Sequence, residues 1–164
     1  MAAEIQVRKA QFKDADDIAA LINRARPGDA IGKMDIADRF SQVGFLLAEL
    51  EGNIVGLIGW QVENLVIRVT DFLVSSQVDR VATGEAMIEA MEEAGEELQA
   101  EASLLFLPPN PSNDLLGYWL QFDYQRQPVE ELPKAWREAA QEWNPDADEA
   151  MVKTLREDRV MRPM

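Results

Sequence analysis

One block, residues 45–74, leaves this chain few choices of fold. Phe45-Leu46-Leu47-Ala48-Glu49-Leu50 and Ile54-Val55-Gly56-Leu57-Ile58-Gly59-Trp60-Gln61-Val62 are apolar runs separated only by Glu51-Gly52-Asn53. Glycine and asparagine tolerate the positive φ of a tight reversal, so the pair predicts a β-hairpin. Glu63-Asn64 offers a second reversal, leading into Leu65-Val66-Ile67-Arg68-Val69-Thr70-Asp71-Phe72-Leu73-Val74. The block therefore predicts three consecutive antiparallel strands, a sheet that needs helices to cover it.

The flanks supply them. Ile5-Gln6-Val7-Arg8 alternates as a short strand, and Ile18, Leu21, Ile22 and Ala25 recur as one helix face, with Asp14 as the expected N-cap. Pro27-Gly28 stops that helix, and Met34, Ala37 and Phe40 can line a short second one. After the block, Met87, Ala90, Met91, Ala94 and Leu98 predict a helix from near Gly84 to about Ala100, and residues 102–107 read as a strand stopped by Pro108-Pro109. Ser112 or Asn113 can cap a helix carrying Leu115, Leu116, Trp119 and Leu120; residues 122–127 look extended. An additional helix over 130–143 presents Leu132, Trp136, Ala139, Ala140 and Trp143 on one face, and Met151-Val152-Lys153-Thr154-Leu155 reads as the last strand. The order predicts a mixed α/β fold over residues 1–164 as a single domain, its central sheet mostly antiparallel with helices on both faces.

Composition narrows the chemistry. The chain has neither cysteine nor histidine, which excludes disulfides, thiol nucleophiles, Ser-His catalysis and the usual zinc sites. Sixteen basic residues against 30 acidic ones leave a net charge of −14, which opposes nucleic acid and anionic membrane surfaces. The N-terminal text has no signal-peptide pattern, and no apolar run reaches the ~18 residues a membrane-spanning helix needs, so the expected location is the cytoplasm.

The strand at Val74 runs through a short loop into a helix N-terminus, an arrangement whose backbone N–H groups and dipole suit a pyrophosphate. The local text, Phe72-Leu73-Val74-Ser75-Ser76-Gln77-Val78-Asp79-Arg80-Val81-Ala82-Thr83-Gly84-Glu85-Ala86-Met87-Ile88-Glu89-Ala90, resembles the acetyl-coenzyme A motif of the GNAT superfamily of N-acetyltransferases. That motif reads Leu-x-Val, a short loop, Arg/Gln-x-x-Gly-x-Gly/Ala and an amphipathic helix. Phe72-Leu73-Val74 falls on the strand signature and Gly84 on the last Gly/Ala, whereas Asp79 stands at the Arg/Gln position and Ala82 at the first glycine. The resemblance implies a GNAT-like acyl-CoA N-acyltransferase fold and acetyl-CoA as co-substrate, with no metal. It also implies cofactor contacts from Phe72, Leu73, Val74, Arg80, Val81, Ala82, Thr83, Gly84 and Glu85.

A second stretch, Asn113-Asp114-Leu115-Leu116-Gly117-Tyr118-Trp119-Leu120-Gln121-Phe122-Asp123-Tyr124, is similar to the family's Asn-x-x-Ala-x-x-Phe-Tyr-x-x-x-Gly-Phe. The family's tyrosine, often the acid that reprotonates the departing thiolate, aligns with Trp119, one residue after Tyr118. Tyr118 is the candidate acid. The family's occasional glutamate base falls near Arg68; Glu63 and Asp71 are the nearest carboxylates, and Asp71 is the candidate base. The implied activity is direct acyl transfer to a small-molecule or peptide amine. The negative field favours a polyamine, an aminoglycoside or a Lys-containing peptide. Two other readings stay open: a catalytically inactive GNAT-fold binding or regulatory domain, and an interaction module whose added helix builds a homodimer.

Overall fold

The computed structural model describes residues 4–25 and 44–156. The helix expected around Met34, Ala37 and Phe40 lies outside them. The elements are β1 (Gln6–Lys9), a 3-10 turn (Phe12–Asp14), α1 (Ala15–Ala25), β2 (Gly44–Leu50), β3 (Asn53–Glu63), β4 (Val66–Val74) and α2 (Arg80–Glu97). Then follow β5 (Ala102–Leu105), α3 (Asn113–Leu120), β6 (Gln125–Pro128), a 3-10 turn (Val129–Glu131), α4 (Lys134–Trp143) and β7 (Glu149–Thr154). The seven strands are hydrogen-bonded in the order β1-β2-β3-β4-β5-β7-β6. The β4–β5 pair is parallel, while β1–β2, β2–β3, β5–β7 and β6–β7 are antiparallel, as the sequence predicts for a mixed sheet. The described residues group into two compact units, one within Met1–Gln61 and Thr70–Met91, the other within Val62–Val69 and Glu92–Met164.

In the first unit the hairpin forms where the sequence puts it. Glu51 (φ 52°) and Gly52 (φ 81°) turn the chain between Leu50 and Asn53, the two-residue, both-positive reversal that matches strand twist. Phe45, Leu47 and Leu57 meet Ala15, Ile18, Ala19, Leu21 and Ile22 of α1 in one buried cluster, with Leu73 packed against it. Gly56 points the other way, because successive strand residues alternate faces. A Cβ built there would stand 3.0 Å from Met87 Sδ and Cε and 3.2 Å from Thr83 Cγ2, so α2 seats directly on bare β3 backbone. Helices thus cover both faces of this β2–β3 ribbon. Asp14, expected to cap α1, instead lies in the turn before it. Both its oxygens bind Arg8 of β1 (2.8 and 2.9 Å), and Oδ2 also accepts the Gln11 N–H (2.7 Å). Arg8 reaches Glu49 of β2 as well (2.8 Å), fastening β1 and the turn to the sheet.

In the second unit the reversal comes one residue later than Glu63-Asn64: β3 continues through Glu63, and Asn64 (φ 53°) and Leu65 (φ 63°) make the turn. β4 pairs with β5 from Val66↔Ala102 to Arg68↔Leu104, and β5 pairs with β7 from Ala102↔Thr154 to Leu105↔Met151. Within residues 130–143 the helix, α4, starts only at Lys134, after a 3-10 turn at Val129–Glu131. Trp136, Ala139 and Ala140 bury against Val66, Ala102, Leu104, Ala150 and Val152. Each large apolar side chain sealed there contributes roughly 1.5–3 kcal/mol. The opposite face carries a polar chain. Tyr124 Oη donates to Ser103 Oγ (2.7 Å), and Lys153 Nζ binds Glu92 Oε1 (2.8 Å). Three further expectations shift. α2 ends at Glu97, leaving Leu98 57% exposed; Leu120 of α3 is also exposed; and residues 121–123 form a turn, with Asp123 at φ 71°, so β6 starts only at Gln125.

Candidate functional site

The join between β4 and α2 lies wholly in the first unit. Phe72, Leu73 and Val74 are half-buried at the end of β4, and the Ser75 N–H bonds the Val55 carbonyl (2.8 Å), holding the chain on β3 for one more residue. Asp79 then caps α2. Its Oδ1 accepts the N–H groups of Val81 and Ala82, each at 3.0 Å, and its carbonyl accepts the Thr83 N–H (3.0 Å). This cap is why the helix starts at Arg80 rather than near Gly84. An aspartate before an apolar-periodic run is a start signal visible in the sequence.

The predicted contact residues divide by orientation. Arg80, Val81, Ala82 and Glu85 are exposed, while Thr83 and Gly84 are buried. Ala82 sits inside the helix without positive φ, so alanine in place of glycine strains nothing here. Thr83 Oγ1 is buried and has no hydrogen-bond partner.

Asp71 is not the solvated strand-end charge that carboxylates in such positions usually are. It is 8% exposed, accepts a hydrogen bond from Thr70 Oγ1 (2.9 Å), and lies over Gly59. A Cβ built on Gly59 would come within 2.8 Å of Asp71 Oδ2 and of Phe45 Cε1, so a glycine floor makes room for the carboxylate. Glu63 belongs to the second unit. There it hydrogen-bonds Glu142 and, with its charge, raises the Glu142 carboxyl above its usual range.

Tyr118 is also in the second unit, half-buried on α3. Its ring stands edge-on to Phe122 (centroids 5.1 Å apart, 86°) and to Trp119 (6.0 Å, 88°). Trp119 is buried and packs edge-on to Tyr124 (5.3 Å), so the indole at the family's tyrosine position is a core side chain. Ser112 caps α3 by accepting the Leu115 N–H (3.1 Å). The pairing of Tyr124, Ser103, Glu92 and Lys153 had no local signal, since its partners are 21 and 61 residues apart. Burial pushes the Tyr124 phenol well above its ordinary value. The second unit also holds a cavity of about 460 Å3 at the loop 107–111, where Asp146, Asp148 and Glu149 outnumber Arg126. That volume is in the range of small-ligand sites. Among the described residues no cluster of three or more Asp and Glu side chains is arranged to hold a metal ion, and no helix is long and apolar enough to cross a membrane.

No protein-family model and no curated protein sequence matches the chain. Solved structures do. A GNAT-family acetyltransferase from Staphylococcus aureus Mu50 superposes with a TM-score of 0.68 at 14% identity, covering 93% of this chain and 100% of that one. The PaiA N-acetyltransferase from Thermoplasma acidophilum, in complex with coenzyme A, gives 0.67 at 11% identity over 92% and 99%. A GNAT-superfamily phosphinothricin acetyltransferase from Sinorhizobium meliloti, in complex with acetyl-CoA, gives 0.72 at 12% identity over 100% and 94%. The chain has the GNAT acyltransferase fold. Identities this low establish the fold and leave activity to the site itself.

Proposed function

We propose that this protein binds acetyl-coenzyme A and transfers its acetyl group to an amine. The observation that carries the reading is likeness over nearly the whole chain to a fold whose solved examples include complexes with coenzyme A and acetyl-CoA. The strand–loop–helix join of the first unit supports it, because a helix N-terminus favours an anionic group. In the proposed site, Phe72, Leu73 and Val74 supply the strand edge, and residues 80–85 supply the turn that faces the phosphates. The residues fit that role on one condition: the Val81 and Ala82 N–H groups now serve Asp79 and must be released.

The transfer needs no cysteine and no metal. The amine nitrogen attacks the thioester carbonyl carbon, the carbon–sulfur bond breaks, a base takes the amine's proton and the departing thiolate receives one. Asp71 is the proposed base and Tyr118 the proposed acid. A cationic acceptor is favoured by the net charge of −14. Calorimetric titration with acetyl-CoA tests binding, and thiol release across polyamines, aminoglycosides and Lys-containing peptides tests transfer. Absence of binding at millimolar acetyl-CoA refutes the reading.

A second reading, a binding or regulatory domain without turnover, is favoured by Trp119, which cannot donate the proton its aligned tyrosine gives. Binding without thiol release on any acceptor selects it.

A further inference from the structure

We propose that the cavity of the second unit binds a small organic amine, its ammonium group held by Asp146 and Asp148 and its apolar body laid against the proline loop 107–111. The cavity exists because two neighbouring strands part. β5 and β7 pair from Ala102↔Thr154 to Leu105↔Met151 and no further. β7 nonetheless extends to Glu149, paired on its other side with β6 through Gln127↔Ala150 and Pro128↔Glu149. Beyond Leu105 the chain runs through Pro108, Pro109 and Pro111, which have no N–H with which to continue a ladder. The strands therefore cannot close on each other, and the opening is written into the sequence. The opposite wall is also held: the Ala147 N–H bonds the Asn144 carbonyl (3.2 Å), and the Val129 N–H bonds the Asp148 carbonyl (2.8 Å). Between the walls lies a space of about 460 Å3, enough for a small ligand.

The lining decides what such a ligand is. Leu107, the three prolines, Leu116 and Met151 make the apolar part, and the charged part is Asp146, Asp148, Glu149 and Arg126. Arg126 is engaged with Glu149. Among the described residues neither Asp146 nor Asp148 has an ion-pair partner, so the cavity carries two uncompensated negative charges. An anion would meet three carboxylates around one occupied guanidinium, and a neutral apolar molecule would gain nothing from them. A cation with an apolar body uses both halves of the lining, the charge giving specificity and the burial of carbon giving affinity.

The test is calorimetric titration of the full-length protein, without acetyl-CoA and at about 0.15 M salt so that distant charges are screened. The probes are phenylbutylamine and its neutral and anionic counterparts, phenylbutanol and phenylbutyrate. The amine should saturate one site, the alcohol should bind about tenfold more weakly, and the carboxylate should not bind. Asp146→Asn combined with Asp148→Asn should weaken the amine about tenfold. Glu96→Gln combined with Glu97→Gln removes the same charge from the exposed end of α2 and should leave the affinity within about twofold. All four positions are exposed, and melting temperature establishes that each variant is folded; either aspartate changed alone, with a loss of about threefold, serves if the pair is not. No saturable binding of the amine overturns the proposal. So does equal weakening by the two double variants, which would make the attraction a property of the whole charged surface. An affinity unchanged by the aspartate substitutions, or an alcohol that binds as tightly as the amine, overturns it too. None of these results bears on acetyl-CoA, whose proposed site is in the first unit.

Discussion

Gly95 allows a sharp test of how α2 is seated. In the second unit this glycine faces β4, and a Cβ built on it is driven into Ile67 Cδ1, with Ile67 Cγ1 at 3.2 Å and Ala100 Cβ at 3.5 Å. Ile67 is fully buried, so its terminal methyl is displaced into packed neighbours rather than into solvent. Two effects compete in Gly95→Ala. Helix propensity favours alanine by about 0.8–1 kcal/mol. Overpacking a closed contact costs about 1–3 kcal/mol. Because the clash falls on a buried side chain whose displacement disturbs its packed neighbours, the steric cost wins and the single variant loses about 1–2 kcal/mol. Ile67→Val removes Cδ1 and costs about 0.5–1.5 kcal/mol alone. In that background the new methyl enters the vacated space, so Gly95→Ala becomes neutral or stabilising by up to about 1 kcal/mol. The coupling between the two substitutions is then at least about 1 kcal/mol, well above the scatter expected for independent sites. Urea denaturation of the four proteins, followed by tryptophan fluorescence, measures it. Equal effects of Gly95→Ala in both backgrounds, or stabilisation in the wild type, refute the reasoning.

Three further outcomes are expected. Arg8 holds the Asp14 carboxyl below its usual range, so its folded pKa lies under the unfolded one; the linked stability is present above about pH 4 and is lost as pH falls through the folded value. Asp14→Asn should cost about 1–2 kcal/mol at pH 7, allowing for the partial exposure of Arg8, and should flatten the acid limb of a urea-midpoint profile. The Glu142 carboxyl is raised beside Glu63, so its contribution is favourable below the unfolded carboxyl pKa and is lost as pH rises through the folded value. Glu142→Gln should therefore raise the melting temperature at pH 7 and leave it unchanged at pH 3. If Tyr118 protonates the leaving thiolate, Tyr118→Phe should lower kcat about 100-fold in the thiol-release assay without weakening acetyl-CoA binding; an unchanged kcat removes it from the mechanism.

What the sequence revealed, and what it hid, follows the range of the forces involved. The turn between Leu50 and Asn53 was legible because Gly52 (φ 81°) stands between two apolar runs, although the second positive φ falls on Glu51 rather than on Asn53, which opens β3. The next reversal was misplaced because Leu65, which advertises nothing of the kind, takes φ 63° under the pairing of the strands on either side. Apolar text runs to Leu107, yet β5 stops at Leu105, where its antiparallel register with β7 ends at Met151. Hydrophobicity sets a strand's burial, and partners set its length. Leu98 kept the helical period in the sequence but lost it in space, since the chain leaves α2 after Glu97 and Gln99 turns left-handed. At the candidate site the strand–loop–helix order was readable from local pattern alone. Asp79 was legible too, but as a departure from a motif; its two hydrogen bonds follow equally from its place as an N-cap. The burial of Asp71 depends on Gly59 and Phe45 brought beside it by the sheet, which no local window contains.

The bare patch of β3 beneath α2 makes Met87 a clock. Its thioether lies against Gly56 and is fully buried, so peroxide reaches the sulfur only while that turn of helix is lifted. A sulfoxide oxygen is polar and larger than the lone pair it replaces, so it fits poorly where the thioether packs directly on glycine backbone. A helix that lifts once under oxidant would not reseat. In a chain without cysteine, sulfoxide formation at Met87, read by mass spectrometry, becomes a direct measure of how often α2 leaves its sheet.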